Sequence, residues 1–180
     1  MKSIRKRASQ KAGPFIFTED AVSEAAQAYR GVIPDDCFHE PYMSRCELAG
    51  EIESGVAFSG WQEADGLAWV MGIQAVEDVT LIRHAYVRRR YQGRGIATEL
   101  LATLAQHSQG QLLVGTWADA QWAIRLYQKH GFRLVSPQEK DRLLQTYWRI
   151  PPHQAAVSVV LELRTAKGLA KREAFMYFRT

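Results

Sequence analysis

One stretch limits what this chain can fold into more than any other. Val79-Thr80-Leu81-Ile82-Arg83-His84-Ala85-Tyr86-Val87 is a β-branched and aromatic run that reads as a strand. It passes directly into Arg88-Arg89-Arg90-Tyr91-Gln92-Gly93-Arg94-Gly95, a basic turn with two glycines, and then into the amphipathic segment that opens at Ile96. A strand, a glycine turn and a helix start in that order present main-chain N–H groups together. The first four N–H groups of a helix have no intrahelical acceptor, and the helix dipole favours an anion there. Gly93 and Gly95 remove the side chains that would hold a ligand away from the main chain. The stretch therefore predicts a cradle for phosphate or pyrophosphate. Arg88, Arg89, Arg90 and Arg94 add positive charge around it.

Two common phosphate-binding loops do not fit. A P-loop ends in Gly-Lys-Ser/Thr, and this chain has no such ending. The dinucleotide fingerprint needs a third glycine or alanine where Thr98 stands, and it belongs in a first βα unit rather than mid-chain. What remains is Gln92-Gly93-Arg94-Gly95-Ile96-Ala97, a Gln-x-x-Gly-x-Ala pattern that resembles the acyl-CoA pyrophosphate loop of the GNAT superfamily of N-acetyltransferases. A second block, Ala123-Ile124-Arg125-Leu126-Tyr127-Gln128-Lys129-His130-Gly131-Phe132, is similar to that superfamily's late Ala-x-x-Leu-Tyr-x-x-x-Gly-Phe segment. The interval between the blocks suits one helix, one strand and a second helix.

The resemblance implies an α/β (α+β) fold: a single GNAT-like domain with a central mixed, mostly antiparallel sheet flanked by helices. It implies transfer of an acetyl group from acetyl-CoA, as cosubstrate, to a primary amine by direct attack in a ternary complex, with no metal. It assigns the pyrophosphate to the N–H groups of Gly93, Arg94, Gly95, Ile96 and Ala97, with the Thr98 hydroxyl beside them and Gln92 as part of the motif. It pairs the main chain of Tyr86 and Val87 with the pantetheine arm, as an added strand would pair. Tyr127 matches the tyrosine that serves as general acid toward the departing thiolate. One departure is plain: Ala120 stands where the superfamily often has an asparagine on the pantetheine arm.

The base is read from the residues. His84 lies on the same strand, near the acyl end of that path, and an imidazole titrates near neutrality. His39, Glu40 and Glu47 come from an early helix–loop region that covers the acceptor in relatives, and a water relay needs no residue at all. Arg83 either reads an acidic acceptor or pairs with a neighbouring carboxylate. The acceptor is a small-molecule amine or an amine on a peptide or protein. Phe38, Tyr42, Tyr147 and Trp148 give it apolar walls. Two rival functions follow from the same features: a non-catalytic CoA-binding regulatory domain, and a nucleic-acid-binding module using the basic N-terminus. The second is disfavoured, because no aromatic-basic RNA motif accompanies the charge.

At 180 residues the chain suffices for one domain with a substantial core. Its net charge of +4 is concentrated in the first eleven residues and in the arginine turn. No apolar run is long enough to span a membrane. The basic start lacks the apolar core of a secretory leader, so a cytoplasmic location is expected. Cys37 and Cys46 have no zinc-type spacing and read as reduced thiols. A homodimer is compatible with all of this. The expected organisation is a basic lead over residues 1–13, an acyl-CoA N-acyltransferase domain over 14–164 and a tail over 165–180.

Taken in order, Phe15–Phe17 reads as a first strand. A helix carrying Ala21, Val22, Ala25, Ala26 and Tyr29 follows it and stops at Gly31 and Pro34. Ser44 with Glu47 makes a capping box for a second helix. Val56–Trp61, Leu67–Ala75 and Val79–Val87 form an antiparallel meander, with a tight turn at Asp65-Gly66. Period-2 alternation places Val79, Leu81, Arg83, Ala85 and Val87 on one face of the third strand, and Thr80, Ile82, His84 and Tyr86 on the other. Both faces are largely apolar, which makes this strand central. A helix over 93–108 buries Ile96, Leu100, Leu101 and Leu104. Gln111–Trp117 is the next strand, Asp119 caps the following helix, and Gly131 ends it. Phe132–Val135 is a strand, Pro137–Trp148 a helix ended by Pro151-Pro152, and Val157–Leu163 a final strand.

Overall fold

The computed structural model describes residues 19–63, 66–107 and 110–164. The expected strand at 15–17, the basic lead and the tail fall outside them. Among the described residues are six α-helices and six strands, in chain order: α1 (Glu19–Ala26), α2 (Arg45–Glu53), β1 (Ala57–Glu63), β2 (Gly66–Val76), β3 (Val79–Val87), α3 (Ile96–His107), β4 (Gln111–Trp117), α4 (Gln121–Lys129), β5 (Arg133–Leu134), α5 (Pro137–Tyr147), α6 (Pro152–Ala156) and β6 (Ser158–Arg164). They build one six-stranded sheet in the order β1-β2-β3-β4-β6-β5. Every pairing is antiparallel except β3 with β4. That parallel step is the one that α3 bridges, since parallel neighbours need a crossover connection.

Local chemistry sets the ends of these elements. Ser44 and Glu47 form the expected capping box at the start of α2. Ser136 accepts the Glu139 N–H at 3.2 Å, and Pro137 occupies the first turn of α5. Asp119 does not cap α4: Ala120 is at that position, with no side-chain cap. Pro151-Pro152 ends nothing further; it starts the five-residue α6, because a proline's missing N–H costs nothing in a first turn.

The core has three parts. On one face of the sheet, α3 and α4 pack Leu101, Ala123, Ile124 and Tyr127 against Ile82, Leu112, Val114 and Leu161. On the other face, α5 sets Leu143 and Leu144 on Val79, Leu81, Leu113 and Val160. Farther along that second face, Ala21 and Val22 of α1 and Met43 pack on Leu67 and Val70, with Tyr86 beside them.

The third strand departs from simple alternation. Gly72 pairs with His84 and Ile73 with Ile82, so Arg83 has no opposite residue and forms a β-bulge. A bulge inserts one residue and reverses the facing of everything after it. Ile82 faces α3 and α4, and beyond the bulge Ala85 and Val87 take over that face. Tyr86 is thereby turned toward α1 and α2, and His84 joins it, facing Glu51 of α2. The expected assignment of Ile82, His84 and Tyr86 to one face is corrected by this single insertion.

Candidate active site

The cleft begins where the sheet comes apart. Strands β3 and β4 pair only from Val79 to Ile82 and from Gln111 to Val114. Beyond that, β3 continues to Val87 bonded to β2, while Gly115–Trp117 of β4 bond only to β6. The two strands leave a wedge whose facing edges pair with no other strand among the described residues. A cleft of about 1140 Å³ occupies the wedge. It is lined on the sheet side by Arg83, His84, Tyr86, Val87, Thr116 and Trp117, and Tyr127 of α4 also lines it.

At one end of the wedge lies the glycine turn. Gly93 and Gly95 have φ of +74° and +81°, values that suit glycine, and a Cβ on either would meet nothing within 4 Å. Among the described residues, the N–H groups of Gly93, Arg94, Gly95, Ile96, Ala97 and Thr98 have no acceptor; the first N–H of α3 with a main-chain partner is that of Glu99, bonded to the Gly95 carbonyl at 3.1 Å. Neither side chains nor main-chain bonds fill this cradle, so the residues present fit an anionic diphosphate.

The side chains of the turn are mostly braces. Gln92 Nε2 donates to the Val87 carbonyl at 3.1 Å, tying the turn to the strand end. Tyr91 is buried in the core, and the Arg90 and Arg94 guanidiniums lie 5.3 and 5.0 Å from its ring centroid. Arg94 is therefore turned onto Tyr91 rather than into the cleft. Arg88 Nε donates to Glu24 of α1 at 2.7 Å. The Thr98 hydroxyl is 3.2 Å from His130 Nε2. Of the arginines expected around the cradle, at least Arg88 holds the fold together instead.

Tyr127 is buried, with Phe132 edge-on at 5.5 Å. Burial, with Tyr29 nearby, pushes its phenol well above the usual range, so it carries its proton at any physiological pH. Its hydroxyl has no hydrogen-bond partner among the described residues. Ala120 is fully buried in the apolar cluster and does not line the cleft.

His84 sits across the cleft and is stacked between rings, Phe58 at 5.5 Å and Tyr86 at 6.2 Å. Its Nε2 faces Glu51 Oε2 at 3.2 Å. Both atoms are sealed from solvent, and they stand close together without the alignment of a good hydrogen bond. The other Glu51 oxygen accepts from Arg83 Nη2 at 3.4 Å. The imidazole first, then Arg83, against an opposing burial cost, holds the Glu51 carboxyl at about 2. Glu51 is not among the residues that the sequence alone points to. Its signal was position: one helical turn past Glu47, on the same face of α2. Glu47 itself is spent on its capping box and lies 3.6 Å from His39. Glu40 pairs with Arg30 at 2.6 Å.

The acceptor half of the cleft is aromatic. Tyr29 stacks on Tyr42 at 5.9 Å, and Tyr42 meets Tyr86 edge-on at 6.2 Å. Trp148 packs over Gly115, within 3.5 Å of where a Cβ would stand. At the mouth, Asp36 Oδ2 and His153 Nε2 lie 3.3 Å apart, joining the loop before α2 to α6, with Cys37 beside them.

The family model for the GNAT acetyltransferases matches residues 19–132, from α1 to the end of the second motif block. The chain belongs to the GNAT acetyltransferase family. No curated protein sequence matches it. Among solved structures, it is similar to the PaiA N-acetyltransferase of Thermoplasma acidophilum in complex with coenzyme A, with a TM-score of 0.57 and 11% identity over 81% of this chain and 89% of that one. A GNAT acetyltransferase of Elizabethkingia anophelis with acetyl-CoA bound matches with a TM-score of 0.51 and 19% identity, over 73% and 90% of the two chains. The ribosomal-protein-S18-alanine N-acetyltransferase of Escherichia coli matches with a TM-score of 0.51 and 16% identity, over 77% and 86%. At these identities the likeness is one of fold. The expected GNAT fold, with its mixed and mostly antiparallel sheet, is borne out. Among the described residues, no helix is long and apolar enough to cross a membrane.

Proposed function

We propose that this GNAT acetyltransferase moves an acetyl group from acetyl-CoA to a primary amine by direct attack within a ternary complex. The observation that carries the reading is the set of unspent N–H groups from Gly93 to Thr98, at one end of a wedge that opens between two sheet strands. Acetyl-CoA supplies the activated acyl group. Its diphosphate is held by the N–H groups of residues 93–97, and the main chain of Tyr86 and Val87 offers the edge for its pantetheine arm. His84 accepts the proton of the attacking amine, which must be neutral to react. Tyr127 offers an O–H to the departing thiolate, and burial keeps that phenol protonated. Tyr29, Tyr42, Trp117 and Trp148 wall the acceptor half, which suits the apolar body of a small amine or of a peptide.

Calorimetry with CoA and thiol release from acetyl-CoA over a panel of primary amines test this together. The proposal expects CoA binding and amine-dependent thiol release. CoA binding with no turnover on any amine supports a regulatory CoA-binding domain instead, and no CoA binding overturns both.

A further inference from the structure

The two nitrogens of His84 are not equivalent. Nε2 is sealed against Glu51, whereas Nδ1 has no partner among the described residues and is not among the sealed atoms, and the residue lines the cleft. We infer that Glu51 is a positioning residue that keeps the neutral imidazole protonated at Nε2, leaving Nδ1 as the atom that takes the acceptor amine's proton. This rests on the acyl-transfer reading given above.

Glu51 stays ionised, and an ionised carboxylate only accepts. Its Oε1 faces Arg83, a group that only donates. Its Oε2 faces Nε2 and has no other polar partner among the described residues. The neutral ring lowers its energy by placing its one proton on Nε2, which leaves the lone pair on Nδ1. When the amine attacks the acyl carbon, the amine N–H bond breaks and an Nδ1–H bond forms. The resulting imidazolium then lies 3.2 Å from a carboxylate. The geometry depends on two local features. The Arg83 bulge turns His84 toward α2, and Glu51 occupies the last turns of that helix.

Glu51→Gln gives a sharp test, because the substituted amide keeps the size and loses the symmetry. Arg83 can only donate, so the amide oxygen turns to Arg83 and the amide NH₂ turns to His84. Nε2 must then accept, and the ring proton moves to Nδ1. Long-range ¹H–¹⁵N correlation spectra of the uniformly labelled protein, recorded at alkaline pH without ligand, read the tautomer directly. The inference expects Nε2–H in the wild type and Nδ1–H in E51Q. It also expects kcat for the best amine of the panel to fall by at least about 100-fold in E51Q, the order of a lost general base, while CoA affinity by calorimetry stays within about threefold. A wild-type ring protonated at Nδ1 overturns the inference, and so does an E51Q enzyme that turns over like wild type. The wild-type spectrum needs no variant and no substrate, so it decides the point even if E51Q fails to fold. Absence of CoA binding by the wild type would instead count against the acyl-transfer reading, whichever tautomer is found.

Discussion

Gly95→Trp probes the cradle with the least collateral change. The backbone there has φ of +81°, and a Cβ would point into space with no atom within 4 Å. The substitution therefore meets no protein atom at its root. Its cost to the fold is the strain of a left-handed conformation, about 1–2 kcal/mol. For a domain of this size that lowers Tm by roughly 2–8 °C. The cost to binding is larger. An indole rooted at Gly95 occupies the volume onto which the N–H groups of residues 95–97 open. A hydrogen bond to a charged group contributes about 1.5–3 kcal/mol. Losing two such bonds to a diphosphate weakens CoA by about 3–6 kcal/mol, or roughly 10²–10⁴-fold in Kd. Gly55→Trp is the control: its φ is +96°, its surroundings are equally open, and it does not line the cleft. Calorimetry with CoA, alongside thermal melts, should find both variants folded and only the Gly95 variant impaired. Equal CoA affinity in the Gly95 variant and the wild type would refute the cradle.

Two further outcomes follow from the site. Tyr127→Phe removes a hydroxyl that has no partner among the described residues, so Tm and CoA affinity should hold while kcat falls by about 100-fold in a thiol-release assay; an undiminished kcat would remove Tyr127 from the chemistry. The Glu51 carboxyl is held at about 2, His84 being the first cause, against about 4.3 in an unfolded chain. A carboxyl depressed on folding stabilises the protein fully above its unfolded pKa, and that contribution is lost as pH falls from about 4.3 through about 2. The span corresponds to on the order of 3 kcal/mol. Urea unfolding across that range should show a shallower acid loss in E51Q than in wild type, and identical slopes would contradict the pairing.

Much of this fold was legible because its elements carry strong local signals. The bounds of β3 and β4 follow from β-branched runs between turn residues, and the capping box of α2 needs only Ser44 and Glu47. What escaped were features with no local signal. The Arg83 bulge leaves the composition of β3 unchanged, yet it moves His84 and Tyr86 to the opposite face. Glu51 meets His84 only through the docking of α2 on the sheet, across a long sequence separation. The short α6 was hidden because Pro151-Pro152 reads equally well as a stop and as a start. The glycine turn keeps the open main chain that its sequence suggests, whereas its side chains lie elsewhere than around the cradle. Arg88 and Thr98 turned to Glu24 and His130, partners that only the folded chain brings near, and Arg94 turned back onto Tyr91 of its own turn.

The most direct test of the account is an amide NMR titration of the protein with CoA. The N–H resonances of Gly93 through Thr98 should move farthest and together, because those groups exchange water for a diphosphate. CoA that binds while those six resonances stay still would contradict the site on which the functional reading rests.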